Sequence, residues 1–343
     1  MSNNTIHYRG ELKHSHPLQR FTAWRVGGPA EQLYLPADKQ DLSLFLSTLA
    51  PTEATTILGL GSNTLIRDGG IAGTVIVTQG KLHVIECIDE CIVYAEAGVS
   101  CATLARYCAR LGLTGLEFLA GIPGTVGGAL AMNAGCFGSE TWETVTQVET
   151  INSRGHIHLR SLADYQVAYR SVKRCFIKET KRSLAQEINP SEANLPNESD
   201  NPQDFAPSKE DFEFFTAGYF RLKPGDKETS LEKIRHLLEH RAQTQPINEF
   251  NCGSTFRNPP GDHAGRLIEA AGLKGLRLGG ARVSEKHANF IINEGLASAA
   301  DIELLIEQVA EAVYAQSGVR LQREVHILGD KSVVTPNITC SSQ

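Results

Sequence analysis

Two stretches of the 343-residue chain are nearly stripped of large side chains: LGLGSNT (58–64) and GIPGTVGGALAMNAG (121–135), the second with five glycines and no charged residue. Glycine reaches positive φ and lets a ligand approach the backbone, so such loops can cradle a diphosphate with N–H donors in place of charged side chains. They can equally be tight turns between strands. The familiar phosphate motifs do not fit: a GxGxxG starting at Gly59 meets Thr64 where glycine is required, and GIPGTVGG lacks the lysine of a P-loop. Three further residues could act on a ligand. Ser254 in NCGSTFRNP is either a proton-bearing hydroxyl or a turn serine bonding its own backbone. Arg170 in VAYRS offers paired donors to a carboxylate, or could pair with an acidic segment downstream. In VRLQREVHI, Val319, Leu321, Val325 and Ile327 fall on one face of an expected strand and Arg320, Gln322, Glu324 and His326 on the other, so Glu324 is a carboxylate on a polar face.

The elements that must position these residues follow from periodicity. TVIVT from Thr74 and IVYAEAGV from Ile92 predict strands. Ser100 predicts a helix N-cap, with Leu104, Cys108 and Leu111 on its apolar side and Gly112 as its stop. FEFFTAGYFRLKPGD predicts a strand and a turn, and that turn is the expected start of a further domain. Within it one helix is expected after Thr229 and Ser230, with Leu231, Ile234, Leu237 and Leu238 on one face. A second begins at Ser298 with Asp301 completing a capping box and runs through Ile302, Leu305, Ile306 and Val309 to Gly318. Residues 187–211, rich in Pro, Asn, Ser and acidic side chains, predict a disordered insertion.

Composition narrows the function. The chain is 41% hydrophobic and 21% charged with a formal charge of -6, which gives no long-range attraction to nucleic acid. No apolar run approaches the ~20 residues of a membrane span and no secretion signal is visible at the start, so a cytoplasmic protein is expected. Eight cysteines without a CxxC pair, and no His/Cys cluster of zinc spacing, predict ordinary thiols and no metal.

In order along the chain, TAWRVGGPAE, LGLGSNTLIRDGGIAGTVI, GLEFLAGIPGTVGGALAMNAGCFG, VAYRS, NCGSTFRNP, AGRLIEAAGLKGLRLGGARVSEKHANFIIN and LQREVHILG resemble the signatures of the UDP-N-acetylenolpyruvoylglucosamine reductase family, from about Phe21 to Gly329. The resemblance implies an α+β chain: a two-subdomain FAD-binding fold of the vanillyl-alcohol-oxidase type (1–85 and 86–223), an α/β substrate-binding C-terminal domain (224–329) and a tail (330–343). It implies noncovalent FAD held by Gly59, Gly61, Ser62, Asn63, Thr64, Gly121, Ile122, Pro123, Gly124, Gly127, Gly128, Asn133, Ala134 and Gly135, with NADPH as reductant. It further implies Ser254 as proton donor, with Arg170 and Glu324 as its catalytic partners, and Asn258 as a contact for a UDP-sugar; Arg257 and Lys286 are either contacts for its phosphates or solvated surface charges. Arg266 and Lys274 are further candidates for its phosphates. The chain departs from the family by reading LQREV for LEPEV and YRSV for YRxS, which leaves Ser171 unassigned. Between Pro224 and Asn251 there is no tyrosine and no room for an extra loop, so the chain resembles the shorter of the family's two forms. A monomeric enzyme is expected. The alternatives are another FAD oxidase or dehydrogenase of the same fold and a nucleotide-binding module without activity.

Overall fold

A computed structural model describes residues 7–175 and 212–331. The insertion expected at 187–211 and most of the tail lie outside them. The N-terminal part comprises β1 (Glu11–Pro17), β2 (Pro29–Leu35), α1 (Lys39–Thr48), β3 (Thr55–Leu58), β4 (Thr64–Ile66) and β5 (Ile71–Val77). Four strands form a sheet ordered β1-β2-β5-β3, antiparallel at β1 and parallel elsewhere. The strand expected at Thr74 thus begins three residues earlier. The first glycine loop leaves the carboxyl end of β3, the end at which open parallel sheets hold ligands.

Next come β6 (Ile85–Asp89), β7 (Ile92–Glu96), α2 (Cys101–Arg110), β8 (Leu113–Thr114), α3 (Val126–Met132), β9 (Gly135–Cys136), β10 (Ser139–Glu140), β11 (Val145–Asn152), β12 (Ile157–Ser161), β13 (Tyr165–Ala168), β14 (Ser171–Arg174), β15 (Glu213–Arg221), β16 (Lys223–Pro224) and α4 (Lys227–Thr244). An antiparallel sheet runs β12-β11-β15-β7-β6, with the aromatic β15 at its centre. Ser100 caps α2 by accepting the Thr103 N–H at 3.1 Å. Leu111, expected on the buried side of that helix, lies past its last turn and is 49% exposed. The start of α4 also differs from expectation. Asp226 is the N-cap, accepting both the N–H and the hydroxyl of Thr229, because a carboxylate one turn upstream satisfies the orphan donors. Helix α4 was expected in the C-terminal domain, yet its Ile234, Leu231 and Leu238 pack into the same core as Val93, Leu104, Leu130 and Phe220.

The remainder contains α5 (Ala264–Ala270), β17 (Arg277–Leu278), β18 (Ala281–Val283), β19 (Ile291–Asn293), α6 (Ala299–Ser317) and β20 (His326–Leu328). The capping box of Ser298 and Asp301 is formed in both directions, and Gly318 ends α6 at φ 72°. The strand expected over 319–327 reduces to β20. Its alternation survives, since Val325 is buried while Gln322 and His326 are exposed, but only three residues join a ladder, with β4, while Arg323 makes an isolated bridge to Phe256. The core of this part includes Trp24, Val26 and Leu65 from the N-terminal region. Trp24 also donates its indole N–H to the Ile291 carbonyl at 2.7 Å.

Candidate active site

A cavity of about 640 Å³ opens between the three parts. Its walls include both glycine loops together with Arg170, Ser254 and Glu324, residues separated by as many as 154 positions in the sequence. Thr64, Ala134 and Gly135 line it as well.

The loops suit a ligand that binds backbone. Among the described residues nothing accepts the N–H groups of Gly61, Ser62 and Asn63, which line the cavity as unused donors. Gly61 sits at φ 63°, and a Cβ there would come within 2.1 Å of the Phe21 carbonyl. At Gly59 a Cβ would meet the Thr125 hydroxyl at 2.5 Å, so the two loops can close on one another only without side chains. A diphosphate-bearing cofactor such as FAD fits these donors. Two residues expected to hold it do other work. Gly127 faces Ala97, whose Cβ a Cβ of its own would meet at 2.8 Å, and whose carbonyl accepts its N–H at 2.9 Å. Asn133, in the left-handed region at φ 41°, ends α3 and spends its side chain on Glu140, the Ala168 carbonyl and the Trp142 N–H. Neither lines the cavity.

Arg170 occupies the second position of the tight turn joining β13 to β14, where its φ of 53° places a non-glycine residue in a left-handed conformation. That conformation costs roughly 1–2 kcal/mol. The Nη2 group donates to the Gly135 carbonyl at 2.7 Å, and Nε lies 2.9 Å from Oε1 of Glu324 as an ion pair without hydrogen-bond alignment. Both side chains are largely buried, 18% and 13% exposed. Burial pushes the Glu324 carboxyl above its ordinary range, against the opposing pull of Arg170 and Arg257. Ser171 pairs with Ala168 in the hairpin.

The Ser254 segment is pinned on both sides. Cys252 is buried with its thiol 3.5 Å from the Gly61 carbonyl, and the Thr255 carbonyl accepts the Glu324 N–H at 2.9 Å. Serine and glutamate are therefore held in register by one backbone bond. The Ser254 hydroxyl has no partner among the described residues. It also lines a second cavity, of about 360 Å³, with Asn258, Arg266, Lys274 and Lys286.

The expected cationic contacts separate. Lys286 donates to the Ala242 carbonyl at 2.5 Å, Lys274 pairs with Glu269 and Arg266 with Asp262, all beside the second cavity. Arg257 lines neither cavity; its Nη2 donates to the Arg170 carbonyl at 3.4 Å. Asn258 is exposed and accepts the Ala264 N–H at 3.1 Å. Arg241 and Gln245 line the main cavity and went unread in the sequence. The signal was present: Leu231, Ile234, Leu238 and Arg241 recur at helical spacing, so the charge continues an apolar stripe.

A family model described as an FAD binding domain matches residues 30–160, and one described as the UDP-N-acetylenolpyruvoylglucosamine reductase C-terminal domain matches residues 245–328. A UDP-N-acetylenolpyruvoylglucosamine reductase of Legionella pneumophila is 51% identical over 335 residues, covering 97% of each chain. Those of Alkalilimnicola ehrlichii and Coxiella burnetii are 50% and 47% identical, over 94% and 95% of this chain and 96% and 98% of their own. The crystal structure of UDP-N-acetylenolpyruvylglucosamine reductase from Thermus caldophilus superposes with a TM-score of 0.70 at 30% identity, over 94% of this chain and 99% of that one. Similarity that spans both the glycine loops and the Ser254–Glu324 segment, at such identity and over nearly the full length, places this chain in the UDP-N-acetylenolpyruvoylglucosamine reductase family.

Proposed function

We propose that the protein is an FAD-dependent enzyme that reduces the enolpyruvyl ether of UDP-N-acetylglucosamine to UDP-N-acetylmuramate, with NADPH as reductant, in peptidoglycan synthesis. The observation that carries the proposal is the convergence of Arg170, Ser254 and Glu324 on the cavity lined by both glycine loops. FAD, when bound, would supply the two-electron chemistry that carries a hydride equivalent from NADPH to the vinyl group of the enol ether. The Gly61–Asn63 amides hold its diphosphate, and the 121–135 loop forms the facing wall. Arg170 holds the substrate carboxylate as charge builds on it. Ser254 keeps a proton at Oγ for the carbon next to the one reduced, and its hydroxyl is free to turn toward it. Glu324 sits beside both, in a setting that favours its protonated form. Asn258 and the cations around the second cavity receive the UDP end, with Ser254 at the junction.

The reading includes a monomeric, cytoplasmic enzyme. Among the described residues no helix is long and apolar enough to cross a membrane. The test is rapid mixing: NADPH should bleach the flavin absorbance, and the enolpyruvyl sugar nucleotide alone should restore it quickly. Equally fast restoration by oxygen without that substrate would instead point to an oxidase.

A further inference from the structure

The main cavity carries two guanidinium groups, and only one is matched. Arg170 faces Glu324. Arg241, in the last turn of α4, meets no carboxylate among the described residues; its Nε donates to Oε1 of Gln245 at 3.1 Å. Burial lowers the pKa of Arg241, opposed only by the Cys136 thiol. Phe137, which follows β9, meets His240 edge-on at 5.7 Å between ring centroids, so the last turn of α4 lies beside β9. Gly135, in the same strand, holds Arg170. Arg241 is thus grouped with Arg170, whereas the two loops close on each other at Gly59 against Thr125 and at Gly124 against Ser62. A partly buried cation without a counter-ion is costly, and an anion that enters the cavity offsets the cost.

We infer that Arg241, held by Gln245, is the counter-charge for the flavin ring in its two-electron-reduced form. The inference rests on the flavin site proposed above. The oxidised ring is neutral. On taking two electrons and one proton from a reduced nicotinamide dinucleotide, which departs oxidised, it carries one negative charge spread over its N1–C2 carbonyl edge. A guanidinium fixed in advance binds that form more tightly than the neutral one and raises the midpoint potential.

The test is a redox-dye titration of FAD-loaded protein. Arg241→Met should weaken binding of reduced FAD relative to oxidised FAD by at least tenfold, which for a two-electron couple is a potential ~30 mV more negative. Arg241→Lys should restore much of the loss. Gln245→Glu places a carboxylate on the guanidinium and should move the potential in the same direction, which keeps the test open if the methionine variant does not fold. An unchanged potential in FAD-loaded variants overturns the inference. Equal weakening of oxidised and reduced FAD overturns it too, assigning Arg241 to the diphosphate, as does a rise in KM for the enolpyruvyl substrate alone. Failure of the unaltered protein to bind FAD would sink the flavin site itself.

Discussion

At the scale of single residues, the free hydroxyl of Ser254 separates two roles. A serine that serves as a turn spends its oxygen on nearby backbone, whereas this one has no partner among the described residues and lies where the two cavities meet. Ser254→Ala should leave bleaching of the flavin by NADPH almost intact and slow its recovery with the enolpyruvyl substrate by ~10²–10⁴-fold. Rapid-mixing traces of the two half-reactions decide it, and a near-normal recovery would remove Ser254 from the chemistry. Glu324 makes a second prediction, through pH. Its carboxyl is held above the ordinary range by burial, so the folded state binds the proton more tightly than the unfolded chain. The stability that proton contributes is complete below the unfolded carboxyl pKa and is lost as pH rises through the folded value. Glutamine does not titrate, so the unfolding free energy of the unaltered protein minus that of Glu324→Gln should fall as pH rises from about pH 4, the ordinary carboxyl range, toward neutrality. Urea melts of both proteins across this window check it; a difference that grows with pH would mean that the Arg170 pairing outweighs burial. That Ser254, Arg170 and Glu324 line one cavity could be anticipated from the sequence because each sits in a motif that resembles the family's. Arg241 could not, because its importance depends on a helix from one part of the chain packing beside loops a hundred residues upstream.

Among the elements, the glycine loops show how one residue type answers to different forces. Gly61 is required by the fold, since its positive φ and the 2.1 Å approach to the Phe21 carbonyl leave no place for a methyl group. Gly128 is not so required. It lies in α3, lines the cavity, and a Cβ there meets only the Thr125 hydroxyl at 3.7 Å. Gly61→Ala should therefore destabilise the flavin-free protein by at least the ~1–2 kcal/mol of a left-handed residue and weaken FAD binding with it. Gly128→Ala should leave the flavin-free protein as stable or stabilise it by up to ~1 kcal/mol through helix propensity, yet still weaken FAD binding if its methyl meets the ligand. Thermal melts without FAD and fluorescence titrations with it separate the two; equal melting temperatures would show that the Gly61 loop adapts. What could be seen in advance divides along the same line between local and long-range causes. The capping box of α6 and the Ser100 cap of α2 were visible because every partner lies within three residues. The start of α4 was misplaced because Thr229 is a plausible cap until Asp226, better placed, takes it as a donor. The strand expected around Glu324 shrank because alternation records which side is buried, while a ladder needs a partner, and β4 offers only three residues.

For the molecule as a whole, the placement of the cavity depends on how its walls are joined. We propose three units, with the core shared by Trp24, Val26 and Leu65 binding the C-terminal unit to the first. That junction is reinforced where Arg67 grips Glu303 through two bonds of 2.8 and 2.9 Å, and where Asp68 accepts the N–H groups of Ala299 and Ala300 at the start of α6. The junction between the first and second units has an apolar core, where Leu42, Phe45 and Ile76 meet Ala97, Ile151 and Phe214, and a polar cluster besides. Lys39, at the first turn of α1, donates to Oε2 of Glu149 and to the Tyr94 hydroxyl, each at 2.5 Å, and lies 3.8 Å from Glu96. The lysine, Glu149 and Glu96 are only 15%, 16% and 7% exposed, so water screens them little. One flavin loop follows β3 in the first unit and the other begins α3 in the second, which makes this cluster part of what fixes the distance between them. Removing the cation strands two buried carboxylates, and breaking such a cluster from one side costs about 3–5 kcal/mol. Lys39→Met should lower the melting temperature and weaken FAD binding together, although no atom of Lys39 lines the cavity. Replacing Glu149 by Gln in the same protein removes one of the stranded charges and should recover part of both losses, a coupling that a double-mutant cycle reads directly. If Lys39→Met binds FAD as tightly as the unaltered protein while melting earlier, the two loops are held in place by the cofactor and their own packing, and the cluster serves stability alone.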